Sequence, residues 1–221
     1  WFLLFRRFDL LNANDLDALL PNFLVSRLKG KKLVYDSHEY FTEVPELTQR
    51  PKVQAIWLKL ERWIFPKLTS AYTVNESIAE IYRKAYGVPV GVVRNLPFKS
   101  ASSGFELPKR KLLIYQGALN MGRGVDLMIK AMLHLPSEYS LRIVGGGNLE
   151  NDLASQAKSL GLMDRVEFVG WVNLDELAGP KGLTAEAMLG LSLEEELGLN
   201  YRYALPNKLF DYVQARVPVL V

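Results

Sequence analysis

Two charged side chains near the end of the chain have types and a spacing that suit phosphate and sugar chemistry. Lys208 and Asp211 lie three residues apart in a helical pattern that starts at Pro206, a residue that suits the first helical position. Side chains at this spacing share one face of a helix. A cation beside the N–H groups of a helix start suits a phosphate, and a carboxylate one turn on can accept hydrogen bonds from sugar hydroxyls. The pattern suggests a nucleotide-sugar site, and the alternative is an ordinary i,i+3 salt bridge on a helix surface.

A histidine in the first half is a second candidate for chemistry. His38 follows the predicted strand Lys32–Asp36, and ligands of parallel sheets lie beyond the carboxyl ends of the strands. The imidazole can hydrogen-bond a substrate hydroxyl or relay a proton, and Glu39 could orient it. The alternative is a loop histidine whose hydrogen bonds are satisfied by its neighbours.

Glycine-rich turns follow two predicted strands of the second half. After Lys111–Gln116, Gly117 lets the backbone approach a phosphate, and Arg123 at the next helix start presents a bidentate fork to it. The alternative there is a β-α turn that needs glycine for its φ angles, with Arg123 solvated. Gly145-Gly146-Gly147 lacks the third glycine of a dinucleotide fingerprint, so we predict a tight turn without that function.

A tryptophan follows a further predicted strand, in the segment Gly170-Trp171-Val172. The backbone of this segment could hydrogen-bond the edge of a base. The Trp171 ring could stack on that base or cover the core, and burial in the core is the more common outcome for such a ring.

Short apolar runs alternate with helical patterns along the chain, which argues for parallel sheets covered by helices on both faces. The predicted strands are Phe8–Asn12, Lys32–Asp36, Ser70–Val74, Val90–Arg94, Lys111–Gln116, Ser140–Val144, Arg165–Val169, Ala187–Leu191 and Val217–Val221. The predicted helices span 15–28, 51–66, 76–86, 124–133, 148–160, 173–178 and 206–215. We therefore predict an α/β protein with two Rossmann-like domains, both incomplete, at 1–97 and 111–221, with a linker at 98–110.

Composition excludes several functional classes. The 27 Lys and Arg against 24 Asp and Glu give a formal charge of +3, too mild for a nucleic-acid partner but compatible with weak attraction to anionic lipid or phosphate. The absence of cysteine excludes thiolate nucleophiles and cysteine-ligated zinc and fits a reducing compartment. Two histidines cannot build a histidine-rich metal site. We therefore expect a cytoplasmic protein without a bound metal or cofactor.

A basic, apolar helix near Pro51–Lys67 carries Trp57 and Trp63. These rings could touch a membrane surface, which would place the protein at the inner face of the membrane, or they could pack into the core. The chain begins with Trp and stops inside the apolar run Val217–Val221, so we expect it to be part of a longer protein.

Taken in order, several segments resemble the retaining glycosyltransferases of the family-4 class, which have the GT-B fold. The segments that carry the resemblance are Val34–Tyr40, Val93–Pro97, Leu113–Gly117 with Gly122–Asp126, Leu141–Gly147, Asp164–Gly170 and Pro206–Tyr212. Together they cover nearly the whole chain. The resemblance implies transfer of a sugar from a nucleotide diphosphate sugar to an acceptor hydroxyl with retention and without a metal. The acceptor, whether a saccharide, a lipid-linked compound or a small molecule, is left open.

The resemblance also implies roles for individual residues. His38 would lie beside the transferred sugar, Arg123 and Lys208 would contact the donor diphosphate, and Asp211 would hold ribose hydroxyls. The remaining residues implied to bind the donor are Gly117, Gly124, Gly145, Gly170, Trp171, Val172 and the amides of Asn207 and Leu209.

Several positions depart from the family pattern. Tyr203 stands eight residues before Asp211, where the family has its first glutamate, and Glu194–Glu196 lie nearby but out of register. Ala118 replaces a common arginine, and Arg216 replaces a common glycine. These departures leave two other hypotheses: a nucleotide-sugar binder or scaffold without catalysis, and an epimerase of the same fold that acts on the nucleotide sugar itself.

Overall fold

The computed structural model describes residues 2–97, 111–178 and 182–221. The predicted linker at 98–110 lies outside these ranges.

The chain divides into two compact units. The first contains Trp1–Asn95 together with Glu196–Leu205, and the second contains Leu96–Glu195 together with Pro206–Val221. Residues 196–205 were expected to lie with the second half of the chain, and they differ from that expectation by packing within the first unit.

The first unit alternates strands with helices, as the sequence predicts. Its strands are β1 (Leu10–Asn14), β2 (Lys32–Ser37), β3 (Ala71–Thr73) and β4 (Gly91–Val92). Its helices are α1 (Asp15–Lys29), α2 (Pro45–Thr48), α3 (Pro51–Ile64), α4 (Glu76–Tyr86) and α8 (Leu199–Arg202), with 3-10 turns at Phe2–Phe5, Phe41–Glu43 and Phe65–Lys67. All strand pairs are parallel, in the order β1-β2-β3-β4.

Helix α4 has the bounds that its end signals predict. The Asn75 side chain caps its start by accepting a hydrogen bond from the Ile78 N–H at 3.0 Å, and Gly87 ends it in the left-handed conformation, with φ of 66°. By contrast, β1 starts two residues later than predicted. The reason is that Leu11 and Ala13 are the buried positions of the strand, so it extends through the small Ala13 to Asn14.

The second unit contains a larger parallel sheet. Its strands are β5 (Lys111–Gln116), β6 (Tyr139–Val144), β7 (Val166–Gly170), β8 (Leu189–Leu191) and β9 (Val219–Leu220). Its helices are α5 (Val125–Ala131), α6 (Glu150–Ser159), α7 (Leu174–Ala178) and α9 (Asn207–Gln214), with 3-10 turns at Met132–His134 and Leu183–Glu186. The strand order across the sheet is β7-β6-β5-β8-β9, and all neighbouring strands are parallel. From β5 the chain adds β6 and β7 on one side and then β8 and β9 on the other, so the strand order reverses between β5 and β8. Ligands of such sheets lie beyond the carboxyl ends of the strands on either side of that reversal.

Each unit has its own apolar core. In the first unit, Tyr35 of β2, Phe65 and Tyr82 lie at its centre, fully buried. In the second unit the sheet is covered on both faces, because neighbouring residues of β5 point to opposite sides. Tyr115 contacts one cluster and Ile114 the other.

Candidate functional site

Two cations and a carboxylate meet in the second unit at the strand reversal. Glu194, just beyond β8, lies with its Oε1 atom 2.5 Å from Nζ of Lys208 and 3.6 Å from Nη1 of Arg123. The Lys208 ammonium also lies 4.5 Å from the centre of the Tyr115 ring, within range of a cation–π contact. Arg123 and Lys208 are both predicted to contact a phosphate, and in the structure both lie in ion-pair range of the Glu194 carboxylate.

Burial and charge act against each other in this cluster. Burial, together with the charge of Arg123, lowers the pKa of Lys208 by more than the hydrogen bond and charge of Glu194 raise it. Burial alone would raise the pKa of Glu194, but the hydrogen bond and charge of Lys208 outweigh burial, with help from Ser192 and Arg123, and leave that pKa below its ordinary value. Glu194 therefore stays ionised and keeps the ammonium group in place.

The backbone holds Glu194 against the loop that carries Arg123. The Ser192 hydroxyl donates to Oε2 of Glu194 at 2.7 Å, and the N–H of Glu195 donates to the carbonyl of Gly122 at 2.9 Å. Gly124 has φ of 65°, and a Cβ atom there would lie 2.2 Å from a backbone oxygen of the segment after β8. Glycine is therefore needed at position 124 because the loop that carries Arg123 packs against the segment after β8.

The sequence interpretation counted Glu194 as out of register with the first glutamate of the family pattern, and in the structure Glu194 lies in ion-pair range of Lys208 and Arg123. Counting back from Asp211 leads to Tyr203, whose side chain packs against the core of the first unit. The signal that identifies Glu194 is its position immediately after a strand, the rule that selected the other candidates.

Asp211 lies on the first turns of α9 and bonds to the end of β5. Its Oδ2 atom accepts from Nε2 of Gln116 at 2.7 Å, and Oε1 of Gln116 accepts from the Thr184 hydroxyl at 2.8 Å. Burial raises the pKa of Asp211, and the Gln116 hydrogen bond opposes that rise. The Asp211 carboxylate thus lies beside the reversal point with one hydrogen bond already made.

In place of the salt bridge that was the alternative interpretation, Lys208 and Asp211 contact separate partners, Glu194 and Gln116. Both side chains come from one helix, whose start differs slightly from prediction. Pro206 is the residue before the first helical position, with ψ of 124°, and α9 begins at the exposed Asn207. The N–H of Leu209, proposed for the diphosphate, donates to the carbonyl of Pro206 at 3.1 Å.

The glycine turns extend the sheet beyond the strand ends. Gly117 donates its N–H to Val144 at 3.0 Å, and Gly145 donates its N–H to Gly170 at 2.8 Å. A Cβ atom on Gly145 would lie 2.1 Å from the carbonyl oxygen of Gly117, and its φ is 124°. These glycines bring two turns into backbone contact, which agrees with a tight turn at 145–147.

Trp171 is exposed, contrary to the expectation that its ring covers the core. It is 76% accessible, and its Nε1 atom lies beside Gly146, where a Cβ would meet it at 2.5 Å. Val172, by contrast, packs against the apolar cluster around Ile114. The ring is therefore available for stacking at the carboxyl end of β7.

In the first unit, His38 lies between two carboxylates. Its Nε2 atom is 3.0 Å from Oδ2 of Asp36, and its Nδ1 atom is 3.3 Å from Oδ2 of Asp15. The backbone N–H of His38 donates to Oδ1 of Asp15 at 2.8 Å. The side chain is 52% exposed. His38 therefore has the neighbouring hydrogen-bond partners of the second interpretation, and its ring is also accessible to solvent.

Asp36 and Asp15 contact the His38 ring, and Glu39, which was proposed to orient it, contacts α8. The Oε2 atom of Glu39 accepts from Nδ2 of Asn200 at 3.2 Å, while Oδ1 of Asn200 accepts from the N–H of Tyr40 at 2.9 Å. Asn200 belongs to α8, within the segment that packs in the first unit. No local pattern in the sequence marks this contact between residues 160 positions apart.

The two tryptophans of α3 have different environments. Trp57 packs against the core, with its ring 5.3 Å from that of Phe41, whereas Trp63 is 48% exposed. In residues 2–97, 111–178 and 182–221, we find no helix with the length and apolar character needed to cross a membrane. Within the same ranges, no group of three or more His, Asp and Glu side chains is arranged to hold a metal.

Comparison with protein families gives one match. The family described as glycosyl transferases group 1 matches residues 99–201, slightly less than half of the chain. The match includes Arg123 and Glu194 and ends before α9. No curated protein matches the chain.

Solved structures match over nearly the whole chain. HepE of Anabaena, solved with UDP-glucose, is 18% identical with a TM-score of 0.69, and the match covers 96% of this chain and 58% of that one. Sucrose-phosphate synthase of Thermosynechococcus elongatus is 16% identical with a TM-score of 0.67, covering 96% and 55%. The lipopolysaccharide outer core galactosyltransferase WaaB is 17% identical with a TM-score of 0.58, covering 99% and 57%.

The chain therefore spans less than three fifths of the length of these three proteins. The likeness shows the fold, an α/β protein with two parallel sheets of the GT-B type.

Proposed function

We propose that the protein transfers a glycosyl group from a nucleotide diphosphate sugar to an acceptor hydroxyl, with retention and without a metal, as in the family-4 class. The observation that supports this most directly is the convergence of Arg123 and Lys208 on Glu194 at the strand reversal. The match to group 1 glycosyl transferases over residues 99–201 supports the same activity.

The chemical demand of the reaction is to stabilise a diphosphate leaving group as negative charge builds on it. Two cations and one carboxylate carry a net charge of +1 in a partly buried site. Preorganised donors of this kind contribute about 3–4 kcal/mol each to the stabilisation of the transition state. Glu194 fixes Lys208 before the donor binds, so the ammonium group need not reorganise during the reaction.

The rest of the donor has candidate contacts in the same unit. Asp211 has lone pairs for ribose hydroxyls, and exposed Trp171 offers a face for the base. Gly117, Gly124, Gly145 and Gly170 shape the turns around them. UDP is the first nucleotide to test, because HepE was solved with UDP-glucose and the pneumococcal GtfA was solved with UDP and GlcNAc.

The His38 cluster supports a role on the side of the transferred sugar. Its ring is half exposed and is oriented by Asp36 and Asp15, so it can present one ring edge to a hydroxyl. We propose a saccharide, lipid-linked or small-molecule acceptor, and a reaction on the cytoplasmic side.

Ligand-dependent thermal stability tests the donor site. A nucleotide at about a hundred times its dissociation constant stabilises the folded state by about 2.7 kcal/mol. We expect a rise in melting temperature with UDP or UDP-glucose that is reduced in Lys208→Gln and Asp211→Asn. The matched controls are Lys130→Gln and Asp126→Asn, which change an exposed ion pair on α5 of the same unit.

The outcomes separate the hypotheses. A shift that both site variants reduce and both controls retain supports the donor site, and equal shifts in all variants would contradict it. Release of the sugar to an acceptor then distinguishes a transferase from a binder, and conversion of the donor without any acceptor would indicate an epimerase.

A further inference from the structure

The segment 196–205 follows β8 in the chain but packs within the first unit, and its middle forms the short helix α8. Of these ten residues, all of which the structure describes, Asn200 alone is buried, with 8% of its surface exposed. A buried amide side chain needs hydrogen-bond partners for its oxygen and its nitrogen. The partners of Asn200 therefore indicate what holds the segment in place.

Both polar atoms of the Asn200 amide contact the residues that follow His38. Oδ1 accepts a hydrogen bond from the backbone N–H of Tyr40 at 2.9 Å, and Nδ2 donates to Oε2 of Glu39 at 3.2 Å. The orientation of the amide is unambiguous, because a backbone N–H can only donate and an ionised carboxylate can only accept. Asn fits this position and Asp does not, since a second carboxylate would face Glu39.

Other hydrogen bonds hold the start of the loop that carries His38. The Ser37 hydroxyl donates to the carbonyl of Glu39 at 2.7 Å, and the backbone N–H of His38 donates to Asp15 at 2.8 Å. The acceptor for the N–H of Tyr40 comes from α8. Loss of the α8 contact would therefore leave the loop without that acceptor two residues from the histidine.

The segment 196–205 approaches the first unit at two further points. A Cβ atom on Gly198, whose φ is 145°, would lie 3.5 Å from the carbonyl oxygen of Glu43, near the end of the same loop. The Asn75 side chain, which caps α4, donates from Nδ2 to the carbonyl of Tyr203 at 2.7 Å. Asn75 follows β3 as His38 follows β2, so the segment contacts the loops after two neighbouring parallel strands. Ligands of parallel sheets bind at that edge.

These contacts point to a role for Asn200 in the reaction. We infer that Asn200 is a positioning residue: its amide holds Glu39 and Tyr40, and through them it keeps the His38 ring between its two carboxylate partners. The inference rests on the proposed function, in which His38 serves the transferred sugar. Asn200 acts through the loop, so its loss should lower kcat and leave the KM for the donor nearly unchanged.

The test exchanges the two partner groups. Asn200→Asp places a carboxylate against Glu39, whereas Glu39→Gln/Asn200→Asp restores one donor and one acceptor with their positions reversed. The assay is release of UDP from UDP-glucose with water in place of the acceptor, which yields UDP and glucose. We expect kcat to fall about tenfold in Asn200→Asp, since small misplacements at a reacting centre cost factors of up to about a hundred. The double variant should recover to within about threefold of wild type.

Hydrogen exchange gives a readout that does not depend on activity. The amides of residues 38–43 should exchange about tenfold faster in Asn200→Asp and near the wild-type rate in the double variant, while those of β1 and β3 stay unchanged. The control Asn22→Asp also removes a side-chain donor in the first unit, from its bond to the Ala18 carbonyl. It should alter neither the exchange of the loop nor kcat.

The outcomes distinguish this inference from the proposed function. Faster exchange and lower kcat in Asn200→Asp, both restored by the double variant, support the positioning role. Unchanged exchange, or a loss of kcat that the double variant does not restore, would overturn it. Faster exchange at an unchanged kcat would overturn it too and would leave the donor site intact. Absence of UDP release by the wild-type chain would overturn the proposed function and, with it, the role of Asn200.

Discussion

Two carboxylates, Glu61 in the first unit and Glu194 in the second, are both withdrawn from water, but different groups surround them. Glu61 is 1% exposed on α3 and accepts a hydrogen bond from the Tyr86 hydroxyl. Glu194 faces two cations. Burial raises the pKa of Glu61 to about 7, against the opposing effect of the Tyr86 hydrogen bond, whereas the pKa of Glu194 is lowered.

The comparison shows that depth of burial does not by itself identify a ligand site. A buried carboxylate with neutral partners favours its protonated form, so it acts as a structural group near neutral pH. A buried carboxylate between cations stays charged and holds them in position. Of the two, Glu194 is the one that the described residues place within ion-pair range of two cations.

The largest effect is expected from removing a cation of Glu194. Under the proposed function, Lys208→Gln should lower the rate of sugar transfer by about a hundredfold or more, because it would remove a preorganised donor to the leaving group. It should also destabilise the fold by about 3 kcal/mol, since the partly buried Glu194 loses its nearer cation and keeps the Ser192 hydroxyl and the more distant Arg123. Initial rates and urea unfolding measure the two effects, with Lys130→Gln as the control.

The double variant Glu194→Gln/Lys208→Gln separates these effects. Replacing both charges leaves a neutral pair, so we expect most of the stability to return while the rate stays low. Recovery of the rate together with stability would mean that Lys208 acts only through the fold.

The next effect concerns the pH dependence of stability. The folded pKa of Glu61 is about 7, above its ordinary 4.5, so the stability it contributes is full below pH 4.5 and is lost as the pH rises through 7. The loss is on the order of 3 kcal/mol at pH 8. Glu61→Gln should remove this loss and make the variant more stable than wild type at pH 8 but not at pH 4.5.

Urea unfolding across this pH range measures the difference between variant and wild type. The exposed Glu80→Gln serves as the control, because its i,i+4 pair with Lys84 contributes about 0.5 kcal/mol or less. Parallel pH profiles for wild type and Glu61→Gln would show that Glu61 does not titrate near 7.

A smaller effect tests the neutral partner of Glu61. Tyr86→Phe removes the donor that opposes the raised pKa, so the pKa of Glu61 should rise further. Stability at pH 8 should fall by about 1.5–3 kcal/mol, the range for a hydrogen bond to a charged group, and by less at pH 5. In the Glu61→Gln background the substitution should lose its pH dependence, and a dependence that persists would point to another acid.

Local signals predicted much of the fold and of the candidate site. The cap at Asn75 and the glycine at Gly87 define α4, and β5 has its predicted bounds because apolar residues run from Leu112 to Tyr115. The rule that ligands of parallel sheets lie beyond the carboxyl ends of strands selects His38 and Gly117 as candidates from the sequence.

The features that the sequence did not predict depend on distant contacts. Glu61 lies two residues after Lys59 and directly before Arg62, so its local pattern resembles a solvated helix face. In the fold it is buried and accepts a hydrogen bond from Tyr86, 25 positions along the chain. Asn200 contacts Tyr40 across 160 positions. Glu194 lies three residues after β8, so its place near a strand end marks it as a candidate, whereas spacing counted back from Asp211 leads to Tyr203.

The smallest predicted effect concerns Asp15, the carboxylate that faces His38. Burial raises its pKa, while the hydrogen bond from the His38 N–H and the His38 charge oppose the rise. Asp15 also has φ of 60°, which Asn tolerates and Ala does not. Asp15→Ala should therefore destabilise the fold by about 1–2 kcal/mol, through backbone strain and a lost acceptor.

Asp15→Asn keeps the backbone conformation and the acceptor, so its stability should lie within about 0.5 kcal/mol of wild type. Because the pKa of Asp15 is raised in the folded state, the stability that Asp15 contributes is lost as the pH rises through that pKa. Any stability that Asp15→Asn gains over wild type should therefore appear above about pH 4 and vanish in acid. A lower transfer rate in this variant at unchanged stability would mean that His38 needs the charge of Asp15 as well as its geometry. An unchanged rate would leave Asp36 as the carboxylate that matters to the histidine.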